Sequence, residues 1–271
     1  MTLARPASRA RKRFGQHFLH DPAVIARIVD AVGLQSGDAA VEIGPGRGAL
    51  TAGLLSAAGR LDAVEIDRDL AAALHERFRG QTGWTLHTVD ALAVDWRALA
   101  AARGARLRVI GNLPYNISTP LLFRLLESAD AIADMHFMLQ REVVDRIVAT
   151  PGSREYGRLG VMLAPHVHAA RLFEVGSGAF QPPPRVNSAV IRLRVEQQPP
   201  HWSRASLYGP VVTAAFGQRR KTLRNALHAY LSAEAIRAVG IDPTVRAETL
   251  TPSQFGALAL AAERAGAVSI R

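Results

Sequence analysis

Cysteine is absent from the 271-residue chain, which removes disulfides, thiolate zinc sites and thiol nucleophiles together. Zinc-dependent base deamination, which needs cysteine ligands, and methylation of a pyrimidine carbon through a cysteine adduct are excluded with them. Long apolar runs are lacking too. None reaches the ~18 residues of a membrane span, so no membrane partner is expected. The N-terminus is basic but has no apolar stretch of the kind a secretory signal carries, and its arginines leave a mitochondrial transit peptide as a minor alternative. Lysine is scarce, with Lys12 and Lys221 the two among 33 cations, a bias that genomic codon usage accounts for. No metal-ligand spacing stands out, and no metal is expected.

What is present points to a globular chain long enough for one large domain and a small one, with 48% hydrophobic residues. The net charge of +10 is unevenly placed. Residues 1–20 hold Arg5, Arg9, Arg11, Lys12 and Arg13 and no acid, residues 21–200 hold 19 cations and 19 anions, and residues 201–271 hold nine cations against four anions. Codon usage does not place charge. Two basic ends around a neutral middle are the footprint expected for a polyanion partner, against the plainer reading of a solvated tail and a solvated helix face.

The middle alternates between strands and helices. Ala39–Ile43, Leu61–Ile66, Trp84–Val89, Leu107–Ile110, Met135–Leu139 and Ala189–Val195 read as strands. A helix is expected over Ala49–Ser56, another is capped by Asp67 with Leu70, Ala73, Leu74 and Phe78 on one face, and a third starts at Ser118-Thr119-Pro120. Thr251-Pro252-Ser253-Gln254 has the form of a capping box. The expected fold class is α/β with a mostly parallel, doubly wound sheet, whose ligands sit beyond the carboxyl ends of the strands. The expected division is a basic segment over 1–20, the α/β domain over 21–199 and a small helical domain over 200–271.

Glu42-Ile43-Gly44-Pro45-Gly46-Arg47-Gly48 follows the first of these strands. Gly44 and Gly46 let a backbone approach a ligand closely, but the spacing is not that of a dinucleotide site. A carboxylate beside the loop repels a pyrophosphate and suits a ligand bearing an ammonium or sulfonium. Glu65, after the second strand, is placed to take both hydroxyls of a ribose, and Asp90, after the third, to accept from an adenine amine. Singly, each reads as a turn or a helix cap. Together they describe an S-adenosylmethionine pocket.

Asn112-Leu113-Pro114-Tyr115 ends the fourth strand. The exocyclic amine of a base is a poor nucleophile because its lone pair is delocalised into the ring. The Asn112 side-chain oxygen and the Leu113 carbonyl, stiffened by Pro114, can accept the two amine hydrogens while Tyr115 stacks on the ring. An ordinary strand-to-loop turn is the bland alternative. The chemistry expected is in-line methyl transfer to a base taken from an unpaired loop or flipped out, with no general base required.

Arg11–Leu19, Val41–Gly48, Asn112–Thr119, Asp134–Val143, Phe180–Val190 and Phe216–Asn225 resemble, in order and spacing, blocks of the bacterial small-subunit ribosomal RNA adenine N6-dimethyltransferase family. The resemblance runs from about residue 11 to Ala247. It implies a class I methyltransferase fold (Rossmann-like) with a small helical C-terminal domain. It also implies two methyl transfers to N6 of each of two adjacent adenosines in a 3′-terminal hairpin loop of 16S rRNA. It carries cofactor contacts to His17, Leu19, Gly44, Glu65, Asp90 and Asn112. Asparagine is expected where His17 stands, and a histidine keeps one donor or acceptor there. Phe180, ahead of Pro182-Pro183-Pro184, is either the second face of the stack on the base or a core side chain. The stretch Phe216–Asn225 is expected to open a basic helix, with Leu223 and Leu227 inward. Arg219, Arg220, Lys221 and Arg224 would then meet RNA phosphates together with Arg11, Lys12 and Arg13. The small ribosomal subunit is the expected partner, and a cytoplasmic monomer the expected form. Alternatives are a large-subunit rRNA or DNA adenine methyltransferase, and a non-catalytic assembly or transcription factor on the same fold. The DNA enzymes are disfavoured because their signature begins acid-Pro-Pro.

Overall fold

Short apolar segments rich in valine, isoleucine and leucine, each followed by a capped helix, build the centre of the molecule. The computed structural model describes residues 17–114, 117–218 and 220–267. In chain order it contains β1 (Phe18–Leu19), α1 (Pro22–Val32), β2 (Ala40–Ile43), α2 (Thr51–Ala58), β3 (Leu61–Val64), α3 (Arg68–Arg77), β4 (Trp84–His87) and α4 (Trp96–Arg103). There follow β5 (Leu107–Asn112), α5 (Ser118–Leu126), β6 (Ile132–Gln140), α6 (Arg141–Val148), α7 (Arg158–Leu163), β7 (Val167–Val175), β8 (Phe180–Gln181) and β9 (Ser188–Val195). The C-terminal helices are α8 (Tyr208–Gly217), α9 (Leu223–Ala226), α10 (Ala233–Ala238) and α11 (Pro252–Arg264).

Seven strands form one sheet in the order β4-β3-β2-β5-β6-β9-β7. The pairs β4–β3, β3–β2, β2–β5 and β5–β6 are parallel, and β6–β9 is antiparallel. The order reverses between β2 and β5, since the chain leaves β2 toward β3 and returns on its other side as β5. That reversal opens a crevice at the carboxyl ends of both strands. β1 and β8 form a separate antiparallel pair, Phe18 opposite Gln181 and Leu19 opposite Phe180. Helices cover both faces. Leu54 and Leu55 of α2 and Ile28 and Val32 of α1 bury against the side of the sheet that carries Ala40, Leu61 and Ile110. On the opposite side, α4 sends Arg103 onto the buried Asp62, whose Oδ1 also meets His87 Nε2 at 2.7 Å.

Local signals set most boundaries. Asp21 caps α1 by accepting from the Ala23 and Val24 N–H groups, with Pro22 in the first turn, and Gly33 ends the helix at φ 61°. Asp67 caps α3, and Thr251 with Gln254 completes the capping box of α11. Two details differ from the sequence reading. In α3, Ala71 rather than Ala73 joins Leu70, Leu74 and Phe78 in the core. β7 escapes the sequence reading because, as an edge strand, it buries only its two ends and shows no alternation.

The molecule divides into two compact units. One holds the described residues to Val144 together with Ala170–Val195, and the other holds Asp145–Ala169 with the residues from Glu196 onward. The sequence partition at residue 200 leaves 145–169 in the larger domain, whereas here that segment belongs to the second unit. Its own core gathers Tyr156, Val161, Val211, Leu223, Leu227, Ile236, Phe255 and Leu258. The Tyr156 hydroxyl donates to the Leu250 carbonyl at 2.7 Å and the Tyr208 hydroxyl to that of Val161 at 2.8 Å. Among the described residues, no helix is long and apolar enough to cross a membrane.

The expected basic helix over Phe216–Asn225 is not formed. α8 ends at Gly217, and Gln218 leaves the helix at φ −132°, ψ 76°. The chain then turns, because the Leu223 and Arg224 N–H groups donate to the carbonyls of Val245 and Pro243 instead of continuing the helix. Leu223 and Leu227 are buried as expected, and Arg220, Lys221 and Arg224 are exposed on and beside this turn.

Gly111 marks the tightest point of the sheet. A Cβ there would lie 2.7 Å from the Ile43 carbonyl oxygen and 2.9 Å from Leu113 Cδ2. Gly111→Ala is therefore expected to cost about 1–3 kcal/mol of stability through overpacking. Urea unfolding compared with the parent checks this, and an unchanged midpoint would show that the strands can part without cost.

Candidate active site

Six chain segments converge on the crevice between β2 and β5. The cavity there is about 340 Å³, within the range of about 300–1,000 Å³ common for small-molecule sites. Its floor is the loop after β2. Gly46 sits at φ 59°, and a Cβ on it would come within 3.3 Å of the Phe18 ring, so the loop needs glycine for its conformation and for this approach. The Arg47 guanidinium lies 4.2 Å above the same ring, at the exposed rim.

Two carboxylates lie beneath that loop. Glu65, just past β3, is 4% exposed; one oxygen accepts from the Gly46 N–H at 3.1 Å and the other from the Asp67 N–H at 2.9 Å. Burial raises its pKa above the ordinary value, partly opposed by those N–H groups. Glu42, the penultimate residue of β2, is 2% exposed and accepts from the Thr51 hydroxyl at 2.6 Å. Its pKa is pushed up to about 7, first by desolvation, against the Thr51 hydrogen bond, with the charge of Glu65 adding to the rise. Both residues line the cavity.

Beyond β4, Asp90 accepts from the Leu92 N–H at 2.9 Å through one oxygen. Ile66 and Val89 flank this part of the cavity and are unusually exposed for large apolar side chains, at 48% and 36%. Two apolar side chains beside two acids suit a flat, partly polar ring. The sequence reading named Glu65 and Asp90, and took Glu42 as the carboxylate beside the glycine loop without giving it a contact, but it did not name Ile66 or Val89. The signal available for those two was an apolar residue next to an acid at a strand end.

The remaining walls come from β5 and from the β1–β8 pair. The Asn112 side-chain NH₂ donates to the His17 carbonyl at 3.2 Å, an orientation that leaves its oxygen as the acceptor. The Leu113 N–H donates to the Met138 carbonyl at 3.2 Å, which fixes the peptide plane ahead of Pro114. His17 Nδ1 bonds to the Pro182 carbonyl at 2.8 Å, so His17 ties Asn112 to the proline-rich segment after Phe180. Phe180 lines the cavity but is 2% exposed and packs in the core with Leu19 and Leu54. Of the residues singled out from sequence, the structure brings together His17, Leu19, Gly44, Gly46, Glu65, Asp90, Asn112, Leu113, Pro114 and Phe180. Tyr115, Arg11, Lys12, Arg13 and Arg219 lie outside the described residues. Arg220, Lys221 and Arg224 belong to the second unit. Among the described residues, no three His, Asp or Glu side chains gather as a metal site.

These residues fit an S-adenosylmethionine molecule on three observations. Gly44 and Gly46 carry no side chain into the cavity, the two buried carboxylates that line it have no paired cation among the described residues, and the apolar Ile66 and Val89 stand exposed beside Asp90.

Comparison with known proteins agrees. Residues 7–263 match the profile of the family described as ribosomal RNA adenine dimethylase. The chain is similar to a protein named ribosomal RNA small subunit methyltransferase A from Pseudomonas aeruginosa, with 53% identity over 252 residues covering 93% of this chain and 94% of that one. The protein of the same name from Nitrosococcus oceani is 54% identical over 253 residues, covering 92% and 95%. Among solved structures, a dimethyladenosine transferase from Plasmodium falciparum shares the fold with a TM-score of 0.80 at 22% identity, over 94% of this chain and 100% of that one. The 23S rRNA methyltransferase ErmE superposes with a TM-score of 0.70 at 25% identity, over 91% and 99%.

The buried Glu42 generates a stability prediction. Its folded-state pKa lies above the unfolded value, so its contribution is most favourable below pH 4.5 and is lost as pH rises toward 7. Between pH 5 and pH 8 the parent should lose on the order of 2–3 kcal/mol relative to Glu42→Gln. Denaturant unfolding of both proteins at the two pH values checks it, and a constant gap would contradict the raised pKa.

Proposed function

The chain belongs to the ribosomal RNA adenine dimethylase family, and on that premise we propose that it dimethylates N6 of two adjacent adenosines in the 3′-terminal hairpin loop of small-subunit rRNA. S-adenosylmethionine is its methyl donor, and the small ribosomal subunit, met during assembly in the cytoplasm, is its partner. It works as a monomer. The observation that carries this reading is the Asn112 amide, locked by the His17 carbonyl with its oxygen left to accept, at the mouth of a cavity floored by a glycine loop and two buried carboxylates.

The bound donor supplies an electrophilic methyl group on a sulfonium sulfur. The protein's share is positioning. Glu65 and Asp90 address the ribose and adenine of the donor, while Gly44 and Gly46 allow close backbone approach. Asn112 Oδ1 and the Leu113 carbonyl accept the two N6 hydrogens of the target base and draw its nitrogen toward a tetrahedral shape, which restores the lone pair. Tyr115 and Phe180 contain the ring. Pre-set geometry of this kind removes much of the entropy barrier to a bimolecular step. N6 becomes acidic only as the new C–N bond forms, so its proton passes to Asn112, the Leu113 carbonyl or water without a dedicated base.

The identity to small-subunit enzymes, above 50%, against 25% to the 23S enzyme, favours the small subunit over the large. Tritiated methyl transfer onto unmethylated small and large subunits in parallel tests this. Label is expected in the small subunit, and label confined to the large one refutes the assignment. In the same assay Asn112→Ala should keep the fold and much of the subunit binding but lose about two or more orders of magnitude in single-turnover rate, the scale seen when one preorganised polar contact at a reacting centre is removed.

The exposed turn at Arg220, Lys221 and Arg224 supports a phosphate-binding role, since residues 21–200 are neutral in sum. Neutralising all three should lower the log–log salt slope of subunit binding by about 2–3. A triple variant with the parent's slope would assign the contact to other cations, the N-terminal arginines first among them.

A further inference from the structure

Glu42 has a role beyond shaping the loop. As the penultimate residue of β2 it lies on the same side of the sheet as Asn112, given the pairing of Glu42 with Ile110 two residues before Asn112. Among the described residues its one hydrogen-bond partner is the Thr51 hydroxyl, and no cationic side chain pairs with it. It is almost fully buried, yet lines the cavity. Ionising a carboxylate in that position carries a desolvation penalty that a cation sharing the space offsets.

The other titratable groups around the cavity do not supply that cation. Glu65 on the β3 side is a second acid and repels charge on Glu42. Asp90, beyond β4, is a third acid. Arg47 stands at the exposed rim, stacked on Phe18, and the His17 ring faces Pro182. The elements next to Glu42 otherwise offer neutral groups, Thr51 from α2 and the strand partners Ala63 of β3 and Ile110 of β5.

We propose that Glu42 reads the charge of the bound ligand, ionised beneath the sulfonium donor and protonated beneath the thioether product, and so sets the preference of the pocket for donor over product. This rests on the reading of S-adenosylmethionine as methyl donor. The proton count balances. Donor binding sends the Glu42 proton to solvent, methyl transfer removes the sulfonium charge and frees one proton from N6, and Glu42 takes one proton up from solvent. Between donor complex and product complex the two protons cancel, so counted from the free protein one proton is released, and each later exchange of product for donor releases one more. The free protein sits near the midpoint of this change at neutral pH, because burial holds the carboxyl at about 7.

Affinities of the full chain for S-adenosylmethionine and S-adenosylhomocysteine, measured by calorimetry from pH 6 to pH 8 in two buffers of different ionisation enthalpy, test this. The sulfonium lowers the ammonium pKa of the donor relative to the product, so each affinity is corrected for the titration of its free ligand before the ratio is taken. The ratio should rise about tenfold per pH unit in favour of the donor across the interval, with proton release on donor binding that product binding lacks. Glu42→Gln should flatten both. Thr51→Val, which removes the hydroxyl favouring the ionised form, should move the midpoint to higher pH, and it reads the same quantity if Glu42→Gln does not fold. A flat ratio for the parent, or the parent's slope retained in Glu42→Gln, overturns the proposal and leaves the donor reading intact. A parent that binds neither ligand sinks the donor reading, and this inference with it.

Discussion

The close approach of β2 and β5 where the strand order reverses is the constraint on which the site depends. At that point Gly111 leaves no room for a side chain against the Ile43 carbonyl. The glycine loop and Asn112, far apart in sequence, therefore emerge side by side from adjacent strand ends. Both edges of β2 and of β5 are paired, so the backbone polar groups there are satisfied by the ladder. Glu65 and Asp90 follow the neighbouring strands β3 and β4 of the same sheet, so the site inherits the rigidity of the sheet.

Electrostatics then divides the crevice. Its floor holds acids that burial makes costly to ionise, and its rim holds Arg47 and the polar groups of Asn112 and His17. A ligand with a positively charged centre relieves the floor, whereas a pyrophosphate meets repulsion there. The same acids hold the loop in place, as the Glu65 bond to the Gly46 N–H shows. Structural and ligand-facing roles are therefore carried by one side chain, which is economical in a cavity with few polar groups. The β1–β8 pair contributes in a parallel way, since Leu19 and Phe180 fill the core while His17 beside them braces Asn112.

The second unit is built on different terms. Its helices are short, and its stability comes from a packed apolar core with two buried tyrosine hydroxyls bonded to carbonyls. The basic run at Arg220 and Lys221 interrupts helix rather than extending it, so these cations project from a turn held by the 243–245 segment. A turn presents adjacent cations in divergent directions, a geometry better matched to an irregular RNA loop than to a straight duplex groove.

Much of this was legible in the amino-acid sequence, because local chemistry dictates it. The apolar runs bounded by capping aspartates, the glycine spacing after Glu42, the acids at Glu65 and Asp90, and Asn112-Leu113-Pro114 each occupy the strand end that the pattern indicates. The charge at the two ends of the chain was equally plain. Three things were settled only by tertiary contacts. Residues 145–169 join the C-terminal unit because their apolar side chains find their partners there. The basic stretch turns because backbone donors at Leu223 and Arg224 find distant carbonyls. Glu42 acquires its unusual acidity from desolvation, which depends on what the folded chain places around it and has no signature in the run of residues. Periodicity and caps are properties of neighbours along the chain and can be read from their order. Burial, and the choice of a hydrogen-bond partner many residues away, are properties of neighbours in space.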